Sequence, residues 1–309
     1  MINNALLGYG SFFPKTPSSN FEEEVAPSFL ENYRFFYAGR PAMKYALHLV
    51  AKQRHIRYIW LPSYYCPFVK AWIEHEFTNI KYYDLDPFHA SVQPNWSLFD
   101  ATEDVVILNN YWGMKQITIP VGELPVIIED HSHGWLSEAC KNSKADLCFA
   151  SLRKTLPLPL GGIFWKPLAS KWSGPVLVEN LMVKNNATPM NTVWDLMDTA
   201  MSLKAAALSE AESATFMEIY AKGEVTVRDN YDLQEVTYEH LNVMEQWFLK
   251  DLGYFKRKNL NYILHKIQES DTFKIYAEKQ GTPFGLLLCF KDPDTLARFK
   301  QYLITRKIF

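Results

Sequence analysis

The chain has 309 residues, a length that exceeds what one hydrophobic core normally fills and that suits a large domain with a smaller one. Hydrophobic residues make up 48% of it and charged residues 21%, a balance that excludes disordered, low-complexity and collagen-like chains. The formal net charge is −2 and the sequence has no dense basic run, so nucleic acid is not an expected partner.

The apolar segments of the sequence are short. The longest, 284–290, falls far below the length that crosses a bilayer, and the first residues lack the pattern of a secretion signal. The four cysteines form no CxxC pair and are spaced like buried apolar residues, as is typical of a reducing compartment. We therefore expect a cytoplasmic protein without a membrane partner.

Apolar runs and helical segments alternate from about residue 40 onward, which predicts an α/β fold with a mostly parallel sheet. A helix is expected to begin at Pro41 and to end near Arg54, and a second is expected over 69–77. Several strands are continuous apolar runs, which predicts burial on both faces. The expected strands are 58–61, 80–83, 105–108, 126–128, 147–150 and 162–165.

The pattern changes after Pro189, where an Ala- and Met-rich stretch up to residue 221 predicts one long helix or a broken pair. The next stretch, 222–230, is polar and contains turn-forming residues, so we place the domain boundary there. The prediction is a large domain at 1–225, which includes an N-terminal segment at 1–30, and a smaller C-terminal α/β domain at 226–309.

Polar residues follow a buried strand in the segment Val126-Ile-Ile-Glu-Asp-His-Ser-His-Gly. Ligands of open α/β sheets bind beyond the carboxyl ends of the strands, so Asp130 and its neighbours are candidate site residues. The alternative is a solvated turn in which Asp130 caps the residues that follow.

Lys154 follows another expected strand and precedes a proline-stiffened loop and the pair Gly161-Gly162. A lysine amine at a strand end is a candidate Schiff-base partner for a carbonyl compound. Most lysines are solvated, so Lys154 alone does not indicate a ligand site. It does so only together with other features of the sequence.

Two further segments are candidate ligand contacts. Gly39 and Ala42 lie at a helix start, where free amides and the positive end of the helix dipole suit a phosphate. The aromatic loop 61–68 follows a strand and offers a flat side chain to one face of a planar ligand, with ordinary loop packing as the alternative.

These segments, in this order, resemble the pyridoxal-phosphate enzymes of the aspartate-aminotransferase fold (fold type I), and most of all the DegT/DnrJ/StrS aminotransferases. The resemblance covers about residues 30–170. It implies a mostly parallel central sheet sandwiched by helices, pyridoxal 5'-phosphate as cofactor, and a homodimer. The implied reaction moves an amino group from an amino-acid donor to a keto acceptor, for which a nucleotide-linked sugar is one candidate.

The resemblance also implies roles for single residues. Lys154 would form the Schiff base with the cofactor and then act as the base that moves the substrate proton, while Asp130 would keep the pyridine nitrogen protonated. His133 would lie near the cofactor's 3-hydroxyl. The remaining implied contacts are Gly39, Arg40, Ala42 and Ser151 at the phosphate and Tyr65 at the ring face, with Tyr64 and Phe68 as alternatives, in a cleft that residues 109–113 also line.

The chain departs from the family at three places. Pro41 removes an amide hydrogen from the phosphate site, Ser151 lies closer to the lysine than is usual, and relatives normally continue beyond Phe309. A non-catalytic or degenerate protein that keeps the fold and acts by binding a partner is therefore one alternative. The presence of both the acid and the amine favours the enzyme.

A metal-dependent hydrolase is the other alternative. Glu129, Asp130, His131 and His133 lie close together in the sequence and offer carboxylate and imidazole ligands. Such a site needs these four side chains to converge on one point.

Overall fold

A computed structural model describes residues 12–88, 93–114, 117–182, 189–207, 209–276, 284–306 and 308. A seven-stranded sheet lies at its centre. The strands are β1 (Leu30–Phe36), β2 (Ile59–Pro62), β3 (Ile80–Tyr83), β4 (Val105–Asn109), β5 (Val126–Asp130), β6 (Leu147–Ala150) and β7 (Gly162–Pro167). In the order β1-β7-β6-β5-β4-β2-β3, all neighbours from β6 to β3 are parallel, whereas β7 is antiparallel to both β6 and β1.

Eight α-helices are present in the described ranges, together with a separate antiparallel pair of strands. The helices are α1 (Gly39–Gln53), α2 (Pro67–Glu76), α3 (Glu138–Lys141), α4 (Pro189–Ala206), α5 (Glu210–Asp229), α6 (Tyr238–Trp247), α7 (Gly253–Leu264) and α8 (Pro293–Thr305). The separate strands are β8 (Phe273–Tyr276) and β9 (Leu287–Phe290). No helix in these ranges is long and apolar enough to cross a membrane.

The predicted α/β fold with a mostly parallel sheet is confirmed, and all the predicted strands of the large sheet are present. Strand β1 was not predicted. It lies at the edge of the sheet, and Glu31 and Asn32 near its start are exposed and polar, with Asn32 in a left-handed conformation (φ 52°) beside a break in the pairing register. A polar edge strand lacks the apolar run by which the buried strands were predicted.

Helix α1 begins two residues earlier than predicted, at Gly39 rather than Pro41. Proline is tolerated in the first turn of a helix, because the amide hydrogens there have no partner within the helix. Pro41 therefore lies within the first turn and does not mark its start.

The stretch 222–230 is not the predicted turn, since helix α5 continues through it to Asp229. Gly223 does not end the helix but faces α4, where a Cβ atom would lie 2.8 Å from Cε of Met197. The glycine therefore permits close packing of α4 on α5, which form the predicted broken pair. The boundary placed at residue 225 falls inside a helix, and the division into domains stays a prediction.

Hydrophobic side chains cover both faces of the sheet. On β5, Ile128 belongs to a cluster with Leu47 of α1, whereas the neighbouring Ile127 belongs to a second cluster that includes Met197 of α4 and Trp247 of α6. Successive side chains of a strand point to opposite faces, so each face of the sheet has its own core. The segment after residue 225 thus contributes to the packing of the central sheet.

The substitution Gly162→Ala should destabilise the protein, because β7 passes close beneath the start of α1. A Cβ atom on Gly162 would lie 2.1 Å from the carbonyl oxygen of Ala38 and 2.9 Å from the amide nitrogen of Gly39. Relief requires a backbone shift, and we expect a loss of about 1–3 kcal/mol in the free energy of unfolding, measured by urea denaturation. Gly285→Ala is the control, since nothing lies within 4 Å of its Cβ position. Equal urea midpoints for Gly162→Ala and Gly285→Ala would contradict the close packing of β7 against the start of α1.

Candidate active site

A cavity of about 580 Å³ opens at the carboxyl ends of β4, β5 and β6. On the sheet side it is lined by Asn109, Asp130 and Ser151, which end or follow these three strands. On the other side it is lined by residues of α5, among them Tyr220 and Glu224. The cavity therefore lies where open parallel sheets bind their ligands.

Asp130, the last residue of β5, is held by two hydrogen bonds. Its Oδ1 accepts the backbone N–H of Ser132 at 2.8 Å, and its Oδ2 accepts the hydroxyl of Tyr65 at 2.5 Å. Burial and the neighbouring Asp130 charge raise the pKa of Tyr65 well above its ordinary value. Tyr65 therefore stays protonated and donates to the carboxylate, which fixes the direction in which Asp130 faces the cavity.

Lys154 lies in the short helical turn that follows β6, and its amine reaches the same cavity. Its Nζ is 3.3 Å from Nε2 of His133. Burial, and then the charge of Lys154, lower the pKa of His133 to about 4, although Asp130 acts in the opposite direction. The imidazole is therefore neutral near neutral pH, and its Nε2 can accept a hydrogen bond from the amine of Lys154.

The ring of His133 is covered by Phe284, with centroids 4.4 Å apart and planes inclined by 22°. Nδ1 of His133 is buried and has no hydrogen-bond partner in the described part of the chain. A buried polar atom without a partner is costly in a folded protein, and next to a cavity it is a contact available to a ligand.

The start of α1 packs tightly against the chain that follows β6. A Cβ atom on Gly39 would lie 3.1 Å from Cβ of Ser151, so glycine allows this close approach. The guanidinium of Arg40 donates to the carbonyl oxygens of Val227 and Arg228 at 3.0 and 3.3 Å. Arg40 therefore links the start of α1 to the end of α5 across the cavity.

The α5 side of the cavity carries a charged pair that the sequence analysis missed. Arg153 contacts both carboxylate oxygens of Glu224 and donates to the hydroxyl of Tyr220 at 2.9 Å. Burial disfavours the charged form of each side chain, but the attraction between the two charges is the larger effect. The pKa of Arg153 is therefore raised and that of Glu224 is lowered. The i, i+4 spacing of Tyr220 and Glu224 was the available signal, and the incorrect prediction of a turn there obscured it.

Seven of the nine residues expected at the cofactor line this one cavity. They are Gly39, Arg40, Tyr65, Asp130, His133, Ser151 and Lys154. Ala42 is instead fully buried in the core beneath α1. Tyr64 is 57% exposed and stacks on Tyr111 outside the cavity, whereas the alternative residue Phe68 lines it. Tyr64 is thus not placed to cover a ligand in this cavity.

The four residues considered as ligands of a hydrolase metal do not converge. Asp130 and His133 face the cavity. Glu129 and His131 lie on the other face of the sheet, where Nε2 of His131 is 3.1 Å from Oε2 of Glu129. Successive side chains of β5 point to opposite faces of the sheet, which separates the carboxylates of Glu129 and Asp130. The four side chains therefore do not form the metal site of a hydrolase.

Comparisons with known proteins bear on the fold. No protein-family model matches the chain, and a search of curated proteins found no match. Among solved structures, the chain is similar to Spr1654 of Streptococcus pneumoniae, which is described as a sugar aminotransferase. The apo form has a TM-score of 0.50 and 11% identity over 96% of this chain and 77% of that chain. The PMP form has a TM-score of 0.50 and 10% identity over 96% of this chain and 76% of that chain.

A third similar structure is DesV of S. venezuelae in complex with a ketimine intermediate, with a TM-score of 0.47 and 10% identity over 97% of this chain and 75% of that chain. The similarity to Spr1654 shows a shared fold. The α/β fold with a mostly parallel central sheet flanked by helices, which the sequence resemblance implied, is confirmed.

The protein should lose stability as the pH falls from about 6.5 to 4, in part through His133. In this interval the unfolded chain protonates this imidazole and the folded chain does not, because its pKa is lowered to about 4. The contribution reaches about 3 kcal/mol at the acid end. His133→Gln should therefore flatten the dependence of unfolding free energy on pH, whereas His265→Gln, at the exposed end of α7, should not. Parallel curves for the wild type and His133→Gln would contradict the assigned pKa.

Proposed function

We propose that this protein is a pyridoxal-phosphate-dependent aminotransferase, with an amino acid as donor and a keto compound as acceptor. The observation that carries the proposal is that the amine of Lys154 and the carboxylate of Asp130 line one cavity, together with His133, whose Nε2 lies 3.3 Å from the amine. The two groups come from different strand ends and meet at the edge of the sheet. The fold shared with Spr1654 supports the same reaction class.

The residues of the cavity fit pyridoxal phosphate. They provide an amine for an aldehyde, a buried carboxylate for a ring nitrogen, and the start of a helix with a hydroxyl beside it for a phosphate. They also provide an imidazole whose Nδ1 has no protein partner among the residues described. The chemistry of these donors matches the groups that the cofactor carries.

Bound pyridoxal phosphate would supply an electron sink for the carbon from which a proton is removed. Asp130 would hold a proton at the ring nitrogen, and Tyr65 would keep the carboxylate oriented. Lys154 would remove and return the proton at the substrate carbon, assisted by the neutral His133, which orients its amine. Gly39, Arg40 and Ser151 would bind the phosphate.

The finer features of the proposal are a small-molecule acceptor, with a nucleotide-linked sugar as a candidate, and a homodimer in the cytoplasm. The description of Spr1654 as a sugar aminotransferase supports the acceptor class. An amino group taken from the donor must stay with the protein until the acceptor arrives, so the kinetics should be of the ping-pong type.

Lys154→Ala tests the proposal most simply. The variant should fold, because this side chain is exposed to the cavity, but turnover with amino-acid donors should fall by at least about 10²-fold. It should also form no borohydride-reducible adduct with pyridoxal phosphate. Lys144→Ala, at an exposed position outside the cavity, is the control. A fully active Lys154→Ala variant would refute the assignment, and a wild type that neither binds the cofactor nor turns over would support the non-catalytic alternative.

Asp130→Asn separates cofactor binding from proton removal. The amide keeps the shape of the side chain but carries no negative charge to hold a proton at the ring nitrogen. The variant should retain the cofactor and remove the substrate proton more slowly, by roughly tenfold or more, as measured by the isotope exchange of the donor's α-hydrogen. An unchanged exchange rate would show that Asp130 does not act on the ring.

A further inference from the structure

A second cluster of chemically active side chains lies on the face of the sheet opposite the cavity. Glu129 of β5 is the direct neighbour of Cys148 on β6, and His131 follows Glu129 by two residues, so that all three face the same side. Their potential ligand atoms lie within 4.8 Å of one another. The mechanism proposed above uses none of the three.

The cluster is deeply buried. Glu129 is 3% exposed, and His131 and Cys148 are fully buried. The indole rings of Trp135 and Trp165 belong to the same core, and the ring of Trp165 lies 5.5 Å from that of His131. A carboxylate in such surroundings is unstable unless a positive charge compensates it, and no lysine or arginine in the described part of the chain forms an ion pair with Glu129.

The hydrogen bonds of the cluster leave one ligand atom without a partner. Ser143 Oγ donates to Oε2 of Glu129 at 2.6 Å and lies 3.3 Å from Sγ of Cys148. Nε2 of His131 lies 3.1 Å from Oε2 of Glu129 but makes no hydrogen bond to any described residue. A fully buried imidazole nitrogen therefore lies within ion-pair distance of a carboxylate and close to a thiol, but it is hydrogen-bonded to neither.

We propose that Glu129, His131 and Cys148 bind a divalent transition-metal ion of the zinc class. Carboxylate, imidazole and thiolate are the three ligand types that zinc takes from proteins. The charges also balance, since a divalent cation neutralises one carboxylate and one thiolate. The thiol loses its proton to solvent when the ion binds, as cysteine ligands generally do. The fourth position is open to Ser143 Oγ or to the second oxygen of Glu129.

The surroundings of His131 suit a metal ligand. A neutral imidazole that binds a metal through Nε2 carries its proton on Nδ1, which then needs an acceptor. In the structure the amide nitrogen Nδ2 of Asn110 lies 2.9 Å from Nδ1. Asn110 is itself fully buried, and its Oδ1 has no hydrogen-bond partner among the described residues, so a rotation of the amide by half a turn would bring this acceptor toward Nδ1.

A metal at this position would act on the structure and not on the substrate. It would join the ends of β5 and β6 on the face of the sheet opposite the cavity and fix the segment from Glu129 to His133. The opposite face of that segment presents Asp130 and His133 to the cavity. The ion would therefore hold the two cavity residues in place without contacting them.

The test is the metal content of the full-length protein, refolded with Zn²⁺ or Co²⁺ and passed over a desalting column. We expect about one ion per chain by atomic emission, and a thiolate-to-cobalt absorption band in the Co²⁺ form. Cys148→Ser and His131→Gln should each lower the retained metal by at least about tenfold. Cys289→Ser, which removes a cysteine of β9 outside the cluster, should retain it.

Two results would overturn the proposal. The first is a folded wild-type protein that retains no metal after refolding with either ion, in which case Glu129 and His131 form a buried ion pair instead. The second is equal metal retention by Cys148→Ser and the wild type. Because the wild type is measured directly, misfolding of a variant does not decide the outcome.

Discussion

The parallel pairing of β5 with β4 and β6 is the constraint on which the rest of the structure depends. In parallel pairing the carboxyl ends of all the strands lie at one edge of the sheet, so residues that are distant in the sequence lie close together there. Asn109, Asp130 and Ser151 are brought to the cavity in this way, and Lys154 follows within one turn. The strict alternation of side chains along β5 then assigns Glu129 and Asp130 to different environments.

Burial and neighbouring charges give Tyr65 and His133 defined protonation states in the cavity. Tyr65 stays a donor because it is buried beside Asp130, and His133 stays neutral because it is buried beside Lys154. On the α5 side of the cavity, the charges of Arg153 and Glu224 compensate each other. An amine, an acid and a neutral imidazole held in one low-dielectric space form an arrangement suited to proton transfer.

The buried strands and the carboxyl-edge residues could be predicted from the sequence, because continuous apolar runs and the polar residues after them depend on local pattern alone. The resemblance to a family added the pairing of Lys154 with Asp130. The α5 side of the cavity could not be predicted in this way. Gly223 indicates a turn by its residue type, and only the contact with Met197 shows that it serves helix packing. The outward orientation of Tyr64 likewise depends on its contact with Tyr111.

The most direct test of the central claim is to reduce the protein with borohydride after incubation with pyridoxal phosphate and to map the modified peptide by mass spectrometry. If Lys154 and Asp130 share one cofactor site, the reduced cofactor should be found on the peptide that contains Lys154, at about one per chain. Modification spread over other lysines, or none at all, would contradict the claim that this cavity holds the cofactor.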